Sequence, residues 1–425
     1  MFTKLRLTDF KSFPEAELRF GPITTIIGAN ATGKSNLRDA LRFLHGVGRG
    51  MTLPEIFGGN SSLGWAGIRG GAPGVMRNGS DQFSISVKVG DQYEYRIDIG
   101  LANKGPTVVR ESLYDDERML FDSHPTDSPI RQIGKGQLTV RFLSESAKIF
   151  ELASFQTNQP VLSKIAQPNS ATNLDPNLWT VSGIIQTLQA LRTIRFLDFT
   201  PVALRQPSIS GEKTIRESGD NLSSVLRYLV EDQQKGSILT SWLKELTPMD
   251  VARIGFEDYP DGKILAVLEE SSGRKIPLSS ASDGTLRFLG ILASVLSPEP
   301  PSLLCFEEIE TGLHPTRVQL ISELLQKETK DGKPQVLLTT HSPNLLGWLG
   351  REHRDHAYLA YRLPETADTR LKAFRDIPQL ESALLKADAS RLFESGWFED
   401  AVFYAEANPS PISFVAEDPP SESKP

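Results

Sequence analysis

Residues 23–44 read ITTIIGANATGKSNLRDALRFL and predict a strand, a glycine-containing loop and a helix in immediate succession. The β-branched run Ile23–Gly28 is typical of a strand that is buried on both faces. From Ser35 onward, leucines recur with the spacing of one face of a helix. This order of local structures is the context that a phosphate-binding loop requires.

The loop between them, Gly28–Ser35, fits the phosphate-loop pattern of two glycines at fixed spacing followed by Lys and Ser. Glycines allow backbone N–H groups to approach phosphate oxygens, and the helix N-terminus adds free donors and a favourable dipole. We predict that Lys34 neutralises the β- and γ-phosphates and that the Ser35 hydroxyl ligates Mg²⁺. The alternative is an ordinary glycine-rich turn between a strand and a helix.

The composition indicates a globular chain without an extensively basic surface. Its 425 residues are enough for two or three lobes around one or two cores. With a formal net charge of −7, any nucleic-acid contact needs a local patch or a partner. The single cysteine, Cys305, lies in an apolar run and fits a reducing compartment. No apolar segment approaches the ~20 residues that span a bilayer, so we expect a soluble, cytoplasmic protein with no membrane contact.

Two adjacent glutamates follow the apolar run Leu303–Phe306. A phosphate loop calls for an acid at the end of a second strand, where it holds the Mg²⁺ shell. We assign Glu307 to that position and Glu308 to the general base that polarises the attacking water. Because successive strand residues point to opposite faces, the two carboxylates share a site only if the strand ends there. Two surface acids that cap the next helix are the alternative.

Two further motifs lie where they can reach the same phosphates. Ser282, Asp283 and Gly284 open an apolar helix, and either helix capping or phosphate binding by Ser282 explains them. We expect Asp283 to point away from a triphosphate, because its charge would be repulsive. His341 follows the strand-like run at 335–340, from where it can sense a γ-phosphate or position water. A polar strand tip is the alternative for His341.

These motifs, in this order, resemble the ABC-type ATPase heads of the RecF, SMC and Rad50 group. They are most similar to the ATPase domains of the OLD (overcoming lysogenization defect) nucleases and their stand-alone AAA-family relatives. The segments that carry the resemblance are LRLTDFKSF (5–13), GANATGKSN (28–36), SDGTLR (282–287), LLCFEEIETGLHP (303–315) and TTHSPNLL (339–346). Together they lie within about a third of the chain.

The resemblance implies a role for each motif. Gly28–Asn36 would form Walker A, Glu307 and Glu308 Walker B, and His341 the switch histidine. Ser282–Thr285 would form the signature, which in such families acts across a head-to-head dimer on the ATP of the other subunit. The implied nucleotide contacts are Lys11 and Ser12 on the adenine and ribose side, Gly28, Asn30, Ala31, Thr32, Gly33, Lys34, Ser35, Asn36, Ser282 and Gly284. The implied metal ligands are Ser35 and Glu307, and the implied catalytic residues are Lys34, Glu308 and His341.

The expected fold is α/β, a P-loop NTPase with the mixed, mostly parallel sheet of an ABC-type head and an inserted helical or irregular lobe. Helical patterns within that lobe occur at 145–153, 181–193 and 221–246. The predicted division is 1–111 for the N-terminal part of the head, 112–270 for an inserted, largely helical lobe, 271–405 for the C-terminal part of the head and 406–425 for a disordered tail.

The sequence departs from the family pattern in four places. Ala31 replaces a glycine that is common in the loop, Asp283 stands where transporters carry a second glycine, and Glu307 replaces the usual aspartate. The glutamine loop has no evident position, with Gln137 and Gln156 as candidates. We expect these departures to slow hydrolysis.

The expected function is an ATPase that binds Mg-ATP, forms a homodimer or higher oligomer across ATP and controls a separately encoded effector, such as a nuclease, in anti-phage defence. The effector is expected from another protein because the residues after His341 are too few for the OLD-type nuclease domain and the rest of the head.

Two alternatives remain open. The first is a RecF-like, ATP-dependent DNA-binding protein of recombinational repair, in which Arg38, Arg42 and Arg49 contact phosphates. A solvated helix face also explains these arginines, and the net charge of −7 opposes DNA binding. The second is a nucleotide-sensing scaffold that does not hydrolyse ATP.

Overall fold

The computed structural model describes residues 1–102, 105–123, 136–143, 150–166, 182–246, 251–330, 334–342, 344–348 and 351–407. The strands are β1 (Phe2–Phe10), β2 (Phe13–Arg19), β3 (Ile23–Ile27), β4 (Gln82–Val89), β5 (Tyr93–Ala102), β6 (Gly105–Asp115), β7 (Arg118–Asp122), β8 (Gln137–Leu143), β9 (Phe150–Gln156), β10 (Ile194–Leu197), β11 (Ser208–Ile209), β12 (Val251–Asp258), β13 (Lys263–Glu270), β14 (Lys275–Pro277), β15 (Leu303–Phe306), β16 (Gln335–Thr340), β17 (Ala357–Arg362) and β18 (Thr369–Ala373).

The helices divide between those that flank the sheets and short connecting turns. They are α1 (Lys34–Gly48), α2 (Leu53–Gly58), α3 (Val161–Ala166), α4 (Ser182–Arg192), α5 (Pro201–Leu204), α6 (Leu222–Glu231), α7 (Gln233–Leu246), α8 (Asp283–Val295), α9 (Pro315–Glu328), α10 (Asn344–Trp348), α11 (Arg351–Arg354), α12 (Leu380–Leu384), α13 (Ala389–Glu394) and α14 (Trp397–Ala407). No helix among these is long and apolar enough to span a bilayer.

A six-stranded sheet with the order β10-β15-β16-β3-β17-β18 forms the centre of the fold. Its neighbouring strands are parallel except for the antiparallel edge strand β18. Every residue of β3, β15 and β16 is buried, as expected for central strands that are covered on both faces. The predicted α/β class with a mixed, mostly parallel sheet is confirmed.

A second, antiparallel sheet covers one face of the first, with α1 packed between them. Its order is β2-β1-β4-β5-β6-β7-β8-β9, and β4 and β5 form the hairpin predicted around residues 90 and 91. The largest apolar core joins this sheet, α1 and α2 to the inner face of the parallel sheet. Gln335 of β16 fastens the two sheets, because its amide exchanges hydrogen bonds of 2.6 and 2.8 Å with the backbone of Phe2.

The opposite face of the parallel sheet packs against a second apolar core that includes α6 to α9 and the strands β12 and β13. A third, smaller core joins β17 to the C-terminal helices α13 and α14. The parallel sheet is therefore covered on both faces, and its two strand-end edges remain as the places where a site can open.

The prediction that residues 112–270 are largely helical is wrong for the described part, which contributes β7 to β13 as well as α3 to α7. The helix predicted at 145–153 overlaps β9, and the helix predicted at 221–246 is interrupted at Asp232. The boundary at 111 falls inside β6, and β10 joins the central sheet. Local patterns miss β10 because its partner, β15, lies far away along the chain.

The division into head and inserted lobe otherwise remains a prediction. Residues 406 and 407, assigned to the tail, belong to α14. The rest of the predicted tail, 408–425, lies outside the described residues.

Glu111 joins the antiparallel sheet to α3. The side chain is fully buried, and its carboxylate accepts hydrogen bonds from the backbone N–H groups of Val161 (2.6 Å) and Leu162 (2.9 Å) and from the Tyr95 hydroxyl (2.9 Å). Burial raises the pKa of the Glu111 carboxyl to about 7, although the three donors favour the ionised form.

This raised pKa predicts a specific pH dependence of stability. Between its ordinary value of 4.5 and about 7, the folded protein holds a proton on Glu111 that the unfolded chain has lost. The free energy of unfolding should therefore fall as the pH rises through this range, by about 3 kcal/mol from this group. Urea denaturation between pH 5 and pH 8 should give a shallower pH slope for Glu111→Gln than for the wild type. Glu117→Gln, on an exposed turn, should keep the wild-type slope; an unchanged slope in Glu111→Gln would contradict this assignment.

Candidate functional site

The predicted motifs meet at one edge of the parallel sheet. The register pairs Thr340 with Ile27 and Leu338 with Phe306. Because these strands are parallel, the segments that follow them emerge on the same side. The phosphate loop, the paired glutamates and His341 are thus brought together by β3, β15 and β16.

Asp198 lies at the same edge and is a residue that sequence reasoning missed. It follows β10, whose last residue, Leu197, pairs with Phe306 of the parallel neighbour β15. Its side chain is exposed. The glutamine-loop candidates Gln137 and Gln156 instead face each other across β8 and β9 of the antiparallel sheet.

The phosphate loop has the backbone conformation that its glycines suggest. Gly33 has φ 95° and precedes the first turn of α1. A Cβ at Gly33 would collide with the Thr369 hydroxyl, and one at Gly28 would collide with the carbonyl of Ala360. Ala31, which replaces a common glycine, also lies in the left-handed region with φ 65°. The loop therefore keeps its curvature despite that replacement.

Lys34 is turned into its own loop. Its ammonium donates to the carbonyls of Gly28 (2.7 Å) and Ala29 (2.8 Å), and the residue is only 7% exposed. Burial lowers the pKa of Lys34, whereas the nearby carboxylates of Glu308, Glu310 and Glu307 raise it. All three glutamates are therefore within electrostatic reach of this one cation.

The two adjacent glutamates can share a site because the strand ends at Phe306. Glu308 has φ 46°, a left-handed conformation that turns the chain directly after Glu307. Thr339 accepts a hydrogen bond of 3.2 Å from the backbone N–H of Glu308, and the Thr311 hydroxyl lies 3.4 Å from its carboxylate. These contacts hold the turn against the next strand.

Glu307 offers an oxygen suited to a divalent cation. Its Oε2 lies 3.4 Å from the Arg38 guanidinium, whereas its Oε1 is buried without a hydrogen-bond partner. Ser35 directly follows Lys34 in the phosphate loop. Within the described chain, the Ser35 hydroxyl makes no hydrogen bond. A hydroxyl and a carboxylate are the oxygen ligands that Mg²⁺ prefers, so these residues fit a bound magnesium ion.

Arg38 and Arg42 are engaged inside the protein. Both guanidinium groups bind Glu217 at 2.6 to 3.0 Å, and both lie 5.4 Å from the centre of the Phe196 ring. Arg49 packs 5.7 Å from the centre of the Trp65 ring and donates to a backbone carbonyl. Two of the three arginines considered for DNA phosphates are therefore already paired with a carboxylate of the protein.

His341 is held by a third acid, Glu310, that the motif assignment passed over. Glu310 Oε1 accepts hydrogen bonds from the Thr340 hydroxyl (2.6 Å) and the His341 backbone N–H (3.0 Å). The same oxygen lies 3.1 Å from His341 Nδ1. The position of Glu310, three residues after Glu307 in the acidic strand tip, was the available sequence signal.

The signature segment opens α8 as predicted. Ser282 caps the helix by accepting from the Thr285 N–H, while Asp283 pairs with Arg205 at 2.5 Å. The Arg317 guanidinium occupies the space where a Cβ of Gly284 would lie. In the described residues, no hydrogen bond joins the signature to the phosphate loop of the same chain.

Ser12 and Lys11 differ in their surroundings. The Ser12 hydroxyl bonds to Asn36 (2.8 Å) and Thr369 (2.6 Å), directly beside Gly33. The Lys11 ammonium instead pairs with the buried Asp39 of α1 at 2.5 Å. Ser12 therefore borders the phosphate loop, whereas the Lys11 charge is already neutralised.

Comparisons with known proteins agree with this geometry. A family model described as "AAA domain, putative AbiEii toxin, Type IV TA system" matches residues 23–347. The DNA replication and repair protein RecF of Paenarthrobacter aurescens (strain TC1) is 31% identical over 107 residues, which are 24% of this chain and 23% of that protein. The match thus spans about a quarter of the length of this relative.

Solved structures of SMC heads are similar at lower identity. The SMC head domain from Thermotoga maritima is 13% identical, with 88% of this chain and 98% of that chain covered and a TM-score of 0.38. An SMC head bound to the C-terminal winged-helix domain of ScpA is 12% identical, with coverages of 87% and 97% and a TM-score of 0.49. TM-scores below 0.5 do not define a fold, which is defined here by the strand order and the phosphate loop.

The family model covers well over half of the chain, and the phosphate loop, strand-end glutamates and histidine lie within its span. The chain belongs to this AAA domain family.

Proposed function

We propose that the protein is a Mg-ATP hydrolase that dimerises head-to-head on ATP and controls a separately encoded effector, such as a nuclease, in anti-phage defence. The observation that carries the proposal is the strand-end edge at which Lys34 faces Glu307, Glu308 and Glu310. A buried cation and convergent carboxylates beside a phosphate loop suit phosphoryl transfer to water.

Each residue has a distinct chemical task in this proposal. The backbone of Gly28–Ser35 cradles the phosphates, and Lys34 exchanges its two loop carbonyls for phosphate oxygens. Ser35 and Glu307 hold Mg²⁺, which when bound neutralises charge on the β- and γ-phosphates. Glu308 accepts the proton of the attacking water, and His341 orients the water or the γ-phosphate.

The position of the signature supports the proposed dimerisation. Ser282 and Gly284 have no hydrogen bond to the phosphate loop of their own chain within the described residues, and Arg205 neutralises the carboxylate of Asp283. A helix N-terminus with its nearby acid neutralised attracts an anion. The phosphates of a second copy supply such an anion in a head-to-head dimer.

The effector assignment is supported by the family description, which names a toxin of a toxin–antitoxin system. A hydrolysis-driven change between dimer and monomer is a signal that a partner protein can read. The alternative is a RecF-like DNA-binding role, supported by the 107-residue match to RecF. The pairing of Arg38 and Arg42 with Glu217 weighs against their use on DNA phosphates.

The first prediction of the proposed function concerns Lys34. Lys34→Ala should lower ATP turnover by about 100- to 1000-fold, because the buried cation that meets the developing phosphate charge is lost. Turnover is measured by phosphate release, and binding by titration with a fluorescent ATP analogue. Lys263→Ala, at an exposed surface ion pair, should behave as the wild type. Undiminished turnover in Lys34→Ala would exclude this site.

The second prediction separates hydrolysis from dimerisation. Glu308→Gln should lower kcat by about 10²- to 10⁴-fold, because the general base is lost. The variant should accumulate as an ATP-bound dimer, detected by light scattering after gel filtration. Glu323→Gln, an exposed site on α9, should leave turnover and mass unchanged. If the wild type shows no turnover and Glu308→Gln changes nothing, the scaffold alternative is correct.

The third prediction concerns DNA. With Mg²⁺ and ATP, the isolated protein should neither cut duplex DNA nor bind it in an ATP-dependent, steeply salt-sensitive manner. Fluorescence anisotropy between about 50 and 200 mM salt measures binding, and gel electrophoresis measures cleavage. Cleavage by the protein alone would contradict a separate effector. Tight ATP-dependent binding would favour the RecF-like alternative.

A further inference from the structure

We propose that Glu310 is a positioning residue that fixes the His341 ring in one tautomer and orientation at the nucleotide edge. The inference deepens the proposed ATPase function and rests on it for its catalytic consequence. The contact between the Glu310 carboxylate and the His341 ring is independent of that function and can be tested without ATP turnover.

One carboxylate oxygen of Glu310 contacts three groups at the end of β16. Glu310 Oε1 lies 2.6 Å from the Thr340 hydroxyl, 3.0 Å from the His341 backbone nitrogen and 3.1 Å from His341 Nδ1. The side chain of Glu310 is only 11% exposed, whereas that of His341 is 48% exposed. A buried, rigid acid thus anchors a ring that reaches into the open edge.

The geometry selects a tautomer. At 3.1 Å the lone pairs of a carboxylate oxygen and of an unprotonated ring nitrogen would repel each other, so the nitrogen beside Glu310 carries the proton. His341 is therefore protonated on Nδ1, and in the neutral ring Nε2 keeps its lone pair. That nitrogen is the one left to accept a proton from water or a phosphate group. A freely rotating histidine would divide its population between tautomers and orientations.

Glu310 is distinct from the two assigned glutamates. Glu308 is held by Thr339 and Thr311, and Glu307 by Arg38. Of these three glutamates, Glu310 is the one whose carboxylate oxygen lies within ion-pair distance of the His341 ring. Its second oxygen, Oε2, is buried without a hydrogen-bond partner, and its charge lies within electrostatic reach of Lys34. The acid thus links the switch histidine to the phosphate-binding cation.

The first test reads the tautomer directly. Imidazole ¹⁵N NMR of the full chain, with His341 assigned by the signal lost in His341→Asn, should place the proton of the neutral ring on Nδ1. Glu310→Ala should shift the population toward the Nε2–H tautomer. Glu310→Gln, which keeps an oxygen acceptor, should shift it less, and Glu323→Gln should not shift it. A wild-type ring protonated on Nε2, or one unaffected by Glu310→Ala, would overturn the proposal.

The second test asks whether Glu310 acts through His341. Glu310→Ala should lower kcat by about 10- to 100-fold, as is typical for loss of a group that orients a functional histidine, with KM for ATP changed less than about twofold. Glu310→Gln should be partly active, which separates positioning from misfolding. Combining Glu310→Ala with His341→Ala should cost no more than His341→Ala alone.

Full additivity of the two substitutions would refute the inference and would place Glu310 directly on the metal or the phosphates. The two levels of failure are distinguishable. A wild type without ATP turnover defeats the proposed function, whereas the NMR result still decides the histidine geometry.

Discussion

The parallel pairing of β3, β16 and β15 is the constraint on which the site depends. It aligns Ile27 with Thr340 and Leu338 with Phe306, so three segments from distant parts of the chain leave the sheet at one edge. A register shift of one residue would turn each following side chain to the other face. The complete burial of these strands opposes such a shift, because their side chains would have to repack against the covering layers on both faces. The packing of the core thereby determines which side chains lie at the site.

The electrostatics of the edge are arranged around one cation. Lys34 is buried, which lowers its pKa, and three nearby glutamates partly oppose that shift. In the proposed function, entering phosphates would bind the Lys34 ammonium, and an entering divalent cation would bind the carboxylates. The ammonium would then leave the carbonyls of Gly28 and Ala29.

Left-handed backbone conformations occur at the same edge, as they do elsewhere in the chain. Ala31, Gly33 and Glu308 all have left-handed φ values, and each lies in a turn that directs a functional group. This conformation costs free energy in non-glycine residues, which therefore keep it only where their surroundings hold it in place. Thr339 and Thr311 do so for Glu308. The cost to folding is met by the packed sheets on either side of α1.

The sequence by itself determined the phosphate loop, the strand-end glutamates, the signature cap and the α/β class, because each depends on a short pattern of residue types. It also identified the hairpin of β4 and β5. Only the tertiary structure decided that β10 joins the central sheet, that Asp198 lies at its edge, that Arg38 and Arg42 pair with Glu217, and that Glu310 holds His341. Each of these depends on pairing between residues that are far apart in the chain, where local propensity carries no information about the partner. Strand register and burial, not residue type, therefore decide which acidic and basic side chains lie at the edge of the sheet.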